Sequence, residues 1–228
     1  MELKKHFITT CRPYKEGTVE AFQQKLKSDN VKKATLTITA LGLYEAEING
    51  KKVGDALFTP GFTYYPTHLY YQTYDVTGML TGEDTITVYL AQGWYCGRFT
   101  FDNKVQIYGE HPAVSWILTV EDKTGFRTFC SDDPSVEAIS SPYEYAGFYD
   151  GEVYNKNLEQ DIIQPTKFEG HIPDVFEEGT MSVRIREEMP VKSITKRGDM
   201  TILDFGQNFA GIIIIDPAKM KGDCLKLR

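Results

Sequence analysis

The residues best suited to chemistry fall in three short runs of this 228-residue chain. "LDFGQNFAG", Leu203 to Gly211, carries the D-F-G triplet with which a protein kinase holds magnesium against ATP phosphates. "YDGEVYN" sets Asp150 and Glu152 two residues apart, and alternate residues of a strand share one face. Two converging carboxyl groups could cleave a glycosidic bond, which needs them roughly 6.5–9.5 Å apart for inversion or ~5 Å for retention. "AQGWYCGRF" offers Trp94 and Tyr95 as flat apolar faces for a sugar ring and Arg98 as a donor to its hydroxyls. Its two glycines permit a tight loop. Asp102 and Asn103 follow closely and could orient a hydroxyl.

Each run also has a plain structural reading. Asp150-Gly151 can be a turn corner with two solvated acids, Trp94 a core anchor at a strand end, and Asp102-Asn103 a turn. For the D-F-G triplet the choice is clear. A kinase needs a glycine-rich phosphate loop, a strand lysine and an H-R-D loop upstream, and none is present. Asp204 to Gly206 therefore reads as a turn between the strand Thr201–Phe205 and the run Ile212–Ile215.

Other chemistry finds less support. Calcium is conceivable at Asp55, Asp75 or Asp84, which lie near turns, but no EF-hand-like spacing links them. Cys11, Cys96, Cys130 and Cys224 form no C-x-x-C pair, and His6, His68, His111 and His171 lack metal spacing or a triad with serine. No cofactor is expected. The net charge of −7 repels phosphate backbones, which argues against nucleic acid. The start "MELKKHFITT" lacks the apolar stretch of a signal peptide, and no apolar run approaches the ~20 residues that span a bilayer. Four reduced thiols in a cytoplasmic protein with no membrane partner is the expectation.

The elements that must position these residues are strands. Hydrophobic residues make up 41% of the chain and aromatics 13%, with 14 Tyr and 13 Phe, a composition that favours sheets with amphipathic surfaces. Ala34, Leu36, Ile38 and Ala40 alternate with threonines, Gly42 breaks the phase as a bulge would, and Tyr44, Ala46 and Ile48 resume the alternation. Asn49-Gly50 then signals a hairpin. "HLYYQTYDV", "TITVYLAQG" and "AVSWILTVED" repeat the pattern, with Ile86, Val88 and Leu90 on one face and Val114, Trp116, Leu118 and Val120 on another. In "FTYYPTHLYYQTYDV", Tyr64, Tyr65, Tyr70 and Tyr71 could line a groove, although about half must face the core. Thr18–Ser28 fits either a helix, with Val19, Phe22 and Leu26 in phase, or an edge strand. Leu158 to Glu178 reads as a linker rich in Pro and Gly. New β structure begins near Met181 and stops within a strand at "GDCLKLR", as in part of something longer. Short strands at this spacing imply an all-β fold, a jelly-roll or related β-sandwich.

Several of these stretches, in the same order, resemble the N-terminal region of bacterial α-L-rhamnosidases. They are "ALGLYEAEINGKKVGD", "TPGFTYYPTHLYYQTYDVT", "GWYCG", "DGEVYN" and "LDFGQNFAG". Phe62 stands where this region often has Trp, and Thr85 where Asn is common. Residues 1–30, ahead of these stretches, read as an N-terminal extension or edge strand. The resemblance implies that a galactose-binding-like jelly-roll sandwich covers 31–178 and that a second β domain begins over 179–228. It also implies that the catalytic carboxylates belong to a barrel of paired helices outside this chain. The chain alone would be non-catalytic: it would brace that barrel, and its partners would be the barrel and a rhamnose-containing glycan. A free-standing carbohydrate-binding module and a purely structural interaction domain are the alternatives. The glycan contacts would fall to Trp94, Tyr95, Arg98, Asp102, Asn103, Asp150 and Glu152.

Overall fold

The computed structural model describes residues 2–155, 157, 161–179 and 182–214. The chain divides into two compact units, Met1–Arg184 and Ile185–Arg228. In the first, the strands in chain order are β1 (Ile8–Thr9), β2 (Val19–Lys27), β3 (Lys33–Leu41), β4 (Leu43–Ile48) and β5 (Lys51–Lys52). They continue with β6 (His68–Asp75), β7 (Glu83–Ala91), β8 (Ala113–Asp122), β9 (Gly125–Cys130) and β10 (Val136–Ser140). β11 (Tyr143–Gly147) and β12 (Gly151–Tyr154) form a separate hairpin, and β13 (Ile162–Ile163), β14 (Thr166–Lys167) and β15 (Asp174–Glu177) are short. The described residues build one sheet in the order β14-β1-β8-β3-β6-β15, with β9 on β8, and a second in the order β13-β10-β2-β7-β4-β5.

The alternation expected from sequence decides which residues meet between the sheets. Ala34, Leu36, Ile38 and Ala40 from β3 and Val114, Trp116, Leu118 and Val120 from β8 are fully buried, and so are Ile86, Val88 and Leu90 from β7. All belong to one core cluster. Trp116 reaches across it, its indole Nε1 donating to Gln24 Oε1 of β2 at 3.4 Å. A buried polar pair of this kind ties the two layers at one register without leaving an orphaned donor.

Gly42 is not a bulge within one strand. It is the point where the chain leaves the first sheet and enters the second, with φ +133 and β3 and β4 on either side. A Cβ there would stand 2.5 Å from the carbonyl oxygen of Ala91, so only glycine permits the crossing. At the other end of β4 the expected hairpin forms, with Asn49 and Gly50 at φ 53 and 71. The Asn49 side chain donates to Asp84 Oδ1 (2.7 Å) and accepts from the Thr85 N–H (2.9 Å). Burial opposes the charge on Asp84, but donors from Ser28, Asn49 and the backbone of Thr81 and Gly82 hold its pKa down at about 2.

Two expectations change here. Thr18–Ser28 forms no helix, and β2 is no edge strand: it pairs with β7 along its length and with β10 on its other side. The stretch from Leu158 to Glu178 is more than a linker. Its described residues add β13 to β10, β14 to β1 and, in parallel, β15 to β6, covering strand edges that would otherwise be open.

In the second unit, β16 (Ser193–Arg197) and β17 (Met200–Asp204) form an antiparallel hairpin. The D-F-G triplet starts on the last residue of β17 and leads into a turn, the Gly206 N–H donating to Asp204 Oδ1 at 2.7 Å. Ile212, Ile213 and Ile214 are exposed and pair with no strand among the described residues, contrary to the strand expected there. Ile215 and "GDCLKLR" lie outside the described residues.

If the crossing needs glycine, Gly42→Ala lowers the stability of the chain by about 2–3 kcal/mol, through a disallowed φ and a backbone clash. Equilibrium urea unfolding measures this as a reduced midpoint with an unchanged slope.

Candidate functional site: an aromatic corner

The loop after β7 is built by local hydrogen bonds that divide its two aromatic residues between core and surface. Gln92 ends the strand and clamps the N-terminal segment: its Nε2 donates to the Lys15 carbonyl (2.7 Å), and its Oε1 accepts from the Gly17 N–H (2.9 Å). Gly93, at φ 52, opens the helical turn Gly93–Cys96, and a Cβ there would meet the Leu43 side chain at 2.6 Å. The turn points Tyr95 and Cys96 inward, where Phe7, Leu41, Tyr65, Leu69 and Ala113 form a second cluster. The Tyr95 ring sits 5.2 Å from that of Tyr65, edge to face, and burial pushes its hydroxyl up to about 12. Burial also raises the Cys96 thiol, so this cysteine packs as an unreactive hydrophobe.

Trp94 is only partly buried, packed at the rim of that cluster. It stacks on Phe148, from the β11–β12 turn, with ring centroids 4.6 Å apart and planes 25° apart. Phe62 meets it edge-on at 5.8 Å, and Phe58 lies at 6.2 Å. Phe58, Phe62 and Phe148 remain 45%, 49% and 40% exposed, which makes a contiguous apolar surface. Next to it, Arg98 forms an ion pair with Asp150 and stands 3.4 Å from Glu16, while its guanidinium lies over the Tyr149 ring at 5.8 Å. Tyr145 also donates to Asp150, at 2.9 Å.

The structure therefore brings Trp94, Arg98 and Asp150 to one corner. Tyr95 is buried beneath them. Asp150 occupies the β11–β12 turn, committed to Arg98 and Tyr145, and Glu152 lies exposed on β12. Asp102 is exposed and pairs loosely with Lys104 at 3.7 Å. The Asn103 N–H closes a turn on the Thr100 carbonyl (3.2 Å). Of the tyrosine-rich stretch, Tyr65 is buried and Tyr64 exposed, with Tyr70 and Tyr71 between these extremes. Asp55 pairs with Arg184, Asp75 accepts from Thr77, and Asp84 serves the hairpin pin, so the three acids considered for calcium each have separate work. Phe58 and Phe148 were not singled out from sequence. Phe58 and Phe62 flank the Thr59-Pro60-Gly61 turn, which is the one signal that could have marked them.

Backbone strain concentrates at the same corner. Phe58 and Thr100 adopt φ 55 and 74, values that a β-branched residue such as Thr100 rarely takes. The Thr100 hydroxyl is buried without a partner, and Phe101 beside it is fully exposed.

Comparison with known proteins decides the family. Residues 29–192 match the family model described as the α-L-rhamnosidase N-terminal domain. The chain belongs to that family. It is 34% identical over 218 residues to an α-L-rhamnosidase of Streptomyces avermitilis, aligning 90% of this chain with 21% of that protein. With an α-L-rhamnosidase of Formosa agariphila it shares 30% identity over 215 residues, 88% of this chain and 23% of the relative. Among solved structures, the Streptomyces avermitilis α-L-rhamnosidase complexed with L-rhamnose superposes with a TM-score of 0.75 at 30% identity, covering 85% of this chain and 20% of that one. Native α-L-rhamnosidase from Aspergillus terreus gives 0.79 at 31%, covering 89% and 26%. The chain thus spans about a fifth to a quarter of the α-L-rhamnosidases it matches. Its nearly all-β fold is that of their N-terminal β-sandwich region.

The stack has a direct optical test. Trp94 is one of two tryptophans, and the other, Trp116, is fully buried. Phe148→Ala is expected to red-shift the Trp94 part of the fluorescence by exposing one indole face to water. The stability loss should stay near 0.5–1.5 kcal/mol, because the pair is half exposed.

Proposed function

We propose that this chain is a non-catalytic β-sandwich part of an enzyme that hydrolyses terminal α-L-rhamnosides, and that its aromatic corner docks the enzyme's helical catalytic barrel. One observation carries the docking role. Trp94 has one ring face on Phe148, Tyr95 is buried against Tyr65, Phe58 and Phe62 stay exposed, and the neighbouring charges are paired, Arg98 with Asp150. Such a surface offers apolar area with few free donors, which suits a protein partner better than a hydroxyl-rich ring. Strained φ values at Phe58 and Thr100 fit a surface shaped for a contact. The exposed run Ile212–Ile214 in the second unit supports the same structural role. That unit, Ile185–Arg228, is the opening of a following β domain in this reading.

The chemistry then belongs to carboxyl groups on the barrel, which would invert the anomeric carbon through an acid and a base with a water between them. Asp150 is unsuited to either role, since Arg98 and Tyr145 already occupy it. The unpaired Cys11, Cys96 and Cys130 support a reducing, cytoplasmic location, and among the described residues no helix is long and apolar enough to cross a membrane.

Calorimetric titration of the chain with L-rhamnose separates this reading from a carbohydrate-binding module. No saturable heat is expected at millimolar sugar. A saturable heat that disappears in Trp94→Ala would instead establish the corner as a sugar site.

A further inference from the structure

We propose that His6, Cys130 and Asp132 form a binding site for a divalent transition-metal cation of borderline softness, zinc being the type. His6 Nδ1, Cys130 Sγ and a carboxylate oxygen of Asp132 all lie within 4.8 Å of one another, and His6 Nδ1 stands 2.7 Å from Asp132 Oδ1. Imidazole nitrogen, thiolate sulfur and carboxylate oxygen are the three donor types zinc accepts, and a water completes the tetrahedron. Calcium and magnesium prefer all-oxygen sets, so this mixture selects against them. Zinc bonds of about 2.0–2.3 Å place donors ~3.5 Å apart. That separation falls between the 2.7 Å of the His6–Asp132 pair and the 4.8 Å that bounds the set.

The frame around these donors is fixed by groups that do not themselves bind. Ser131, fully buried between Cys130 and Asp132, donates from Oγ to the His6 carbonyl at 2.5 Å and accepts there from the Trp116 N–H at 3.1 Å. Its own N–H donates to the Trp116 carbonyl at 3.1 Å. On the other side, the His6 N–H closes a turn on the Leu3 carbonyl (3.2 Å), which also accepts from Ser115 Oγ (2.7 Å). The Asp133 N–H returns to the Cys130 carbonyl at 3.1 Å, and Ser135 ties down the Asp133 side chain, keeping it out of the ligand set. One serine thus holds two segments 125 residues apart in fixed relation, the support that a preorganised metal site requires. Asp133 and Glu2 add negative charge around the thiol, which attracts a cation. On binding, the cation takes the His6 Nδ1 lone pair with the ring proton carried on Nε2, and the thiol proton is released to solvent as the thiolate–metal bond forms.

Cobalt(II), titrated into the full chain under a non-thiol reductant, reports its own ligands. The expected result is saturation at one equivalent, with a thiolate-to-cobalt charge-transfer band in the near ultraviolet, strong visible bands of four-coordinate cobalt, and displacement by zinc. Cys130→Ser should abolish the charge-transfer band. Asp132→Asn and His6→Gln, at partly exposed positions that leave the fold intact, should each weaken binding about tenfold or more. Cys11→Ser should change nothing. The proposal is overturned if no charge-transfer band develops, if the band survives Cys130→Ser, or if neither Asp132→Asn nor His6→Gln weakens binding.

Discussion

The sandwich depends on one steric permission. The run from Ala34 to Ile48 keeps apolar residues on alternate positions, and those residues must line both facing sheets. A continuous strand could line only one of them. Gly42 resolves this by taking a φ forbidden to L side chains, in a space where the Ala91 carbonyl leaves no room for a Cβ. The same crossing puts β4 beside β7 and brings Leu43 against Gly93 at the end of β7. The corner that carries Trp94 is therefore assembled by the event that closes the core.

That corner shows how packing assigns roles to neighbouring residues of one type. Trp94 and Tyr95 are adjacent and chemically alike, and sequence alone gives both to a sugar face. The helical turn Gly93–Cys96 separates them. Tyr95 is buried in a cluster with Tyr65, while Trp94 packs at the rim of that cluster, only partly buried, and stacks on Phe148. Arg98 and Asp150 neutralise each other beside the stack. What remains exposed is aromatic carbon, which costs solvation until something covers it. This is why the docking role fits the site better than recognition of hydroxyl groups.

The sequence was informative wherever a strand buries one face only. β7 alternates along its whole length and β3 and β8 over part of theirs, and their inward residues are those the pattern names. β2 was harder to read because a charged residue, Glu20, is buried in succession with Val19, Ala21 and Phe22. Glu20 is tolerated there because Thr10 and Arg12 satisfy its carboxylate at 2.9 and 3.0 Å, a long-range arrangement that local periodicity does not encode. With two polar residues buried, Glu20 and Gln24, the spacing of Val19, Phe22 and Leu26 mimicked a helix. The sites followed the same rule. Trp94 was visible as a residue type, but its stacking partner Phe148 comes from a separate hairpin. His6, Cys130 and Asp132 showed no local metal spacing because tertiary structure alone brings them together.

The central claim is that the aromatic corner is an interface covered in the complete enzyme. Hydrogen–deuterium exchange with peptide-level readout tests it by comparing the isolated chain with the full-length protein. Slower exchange in the full-length protein, confined to the segments around Phe58–Phe62, Trp94–Phe101 and Phe148–Asp150, is the predicted result. Equal exchange of those segments in both forms would contradict the account and leave the corner as free surface.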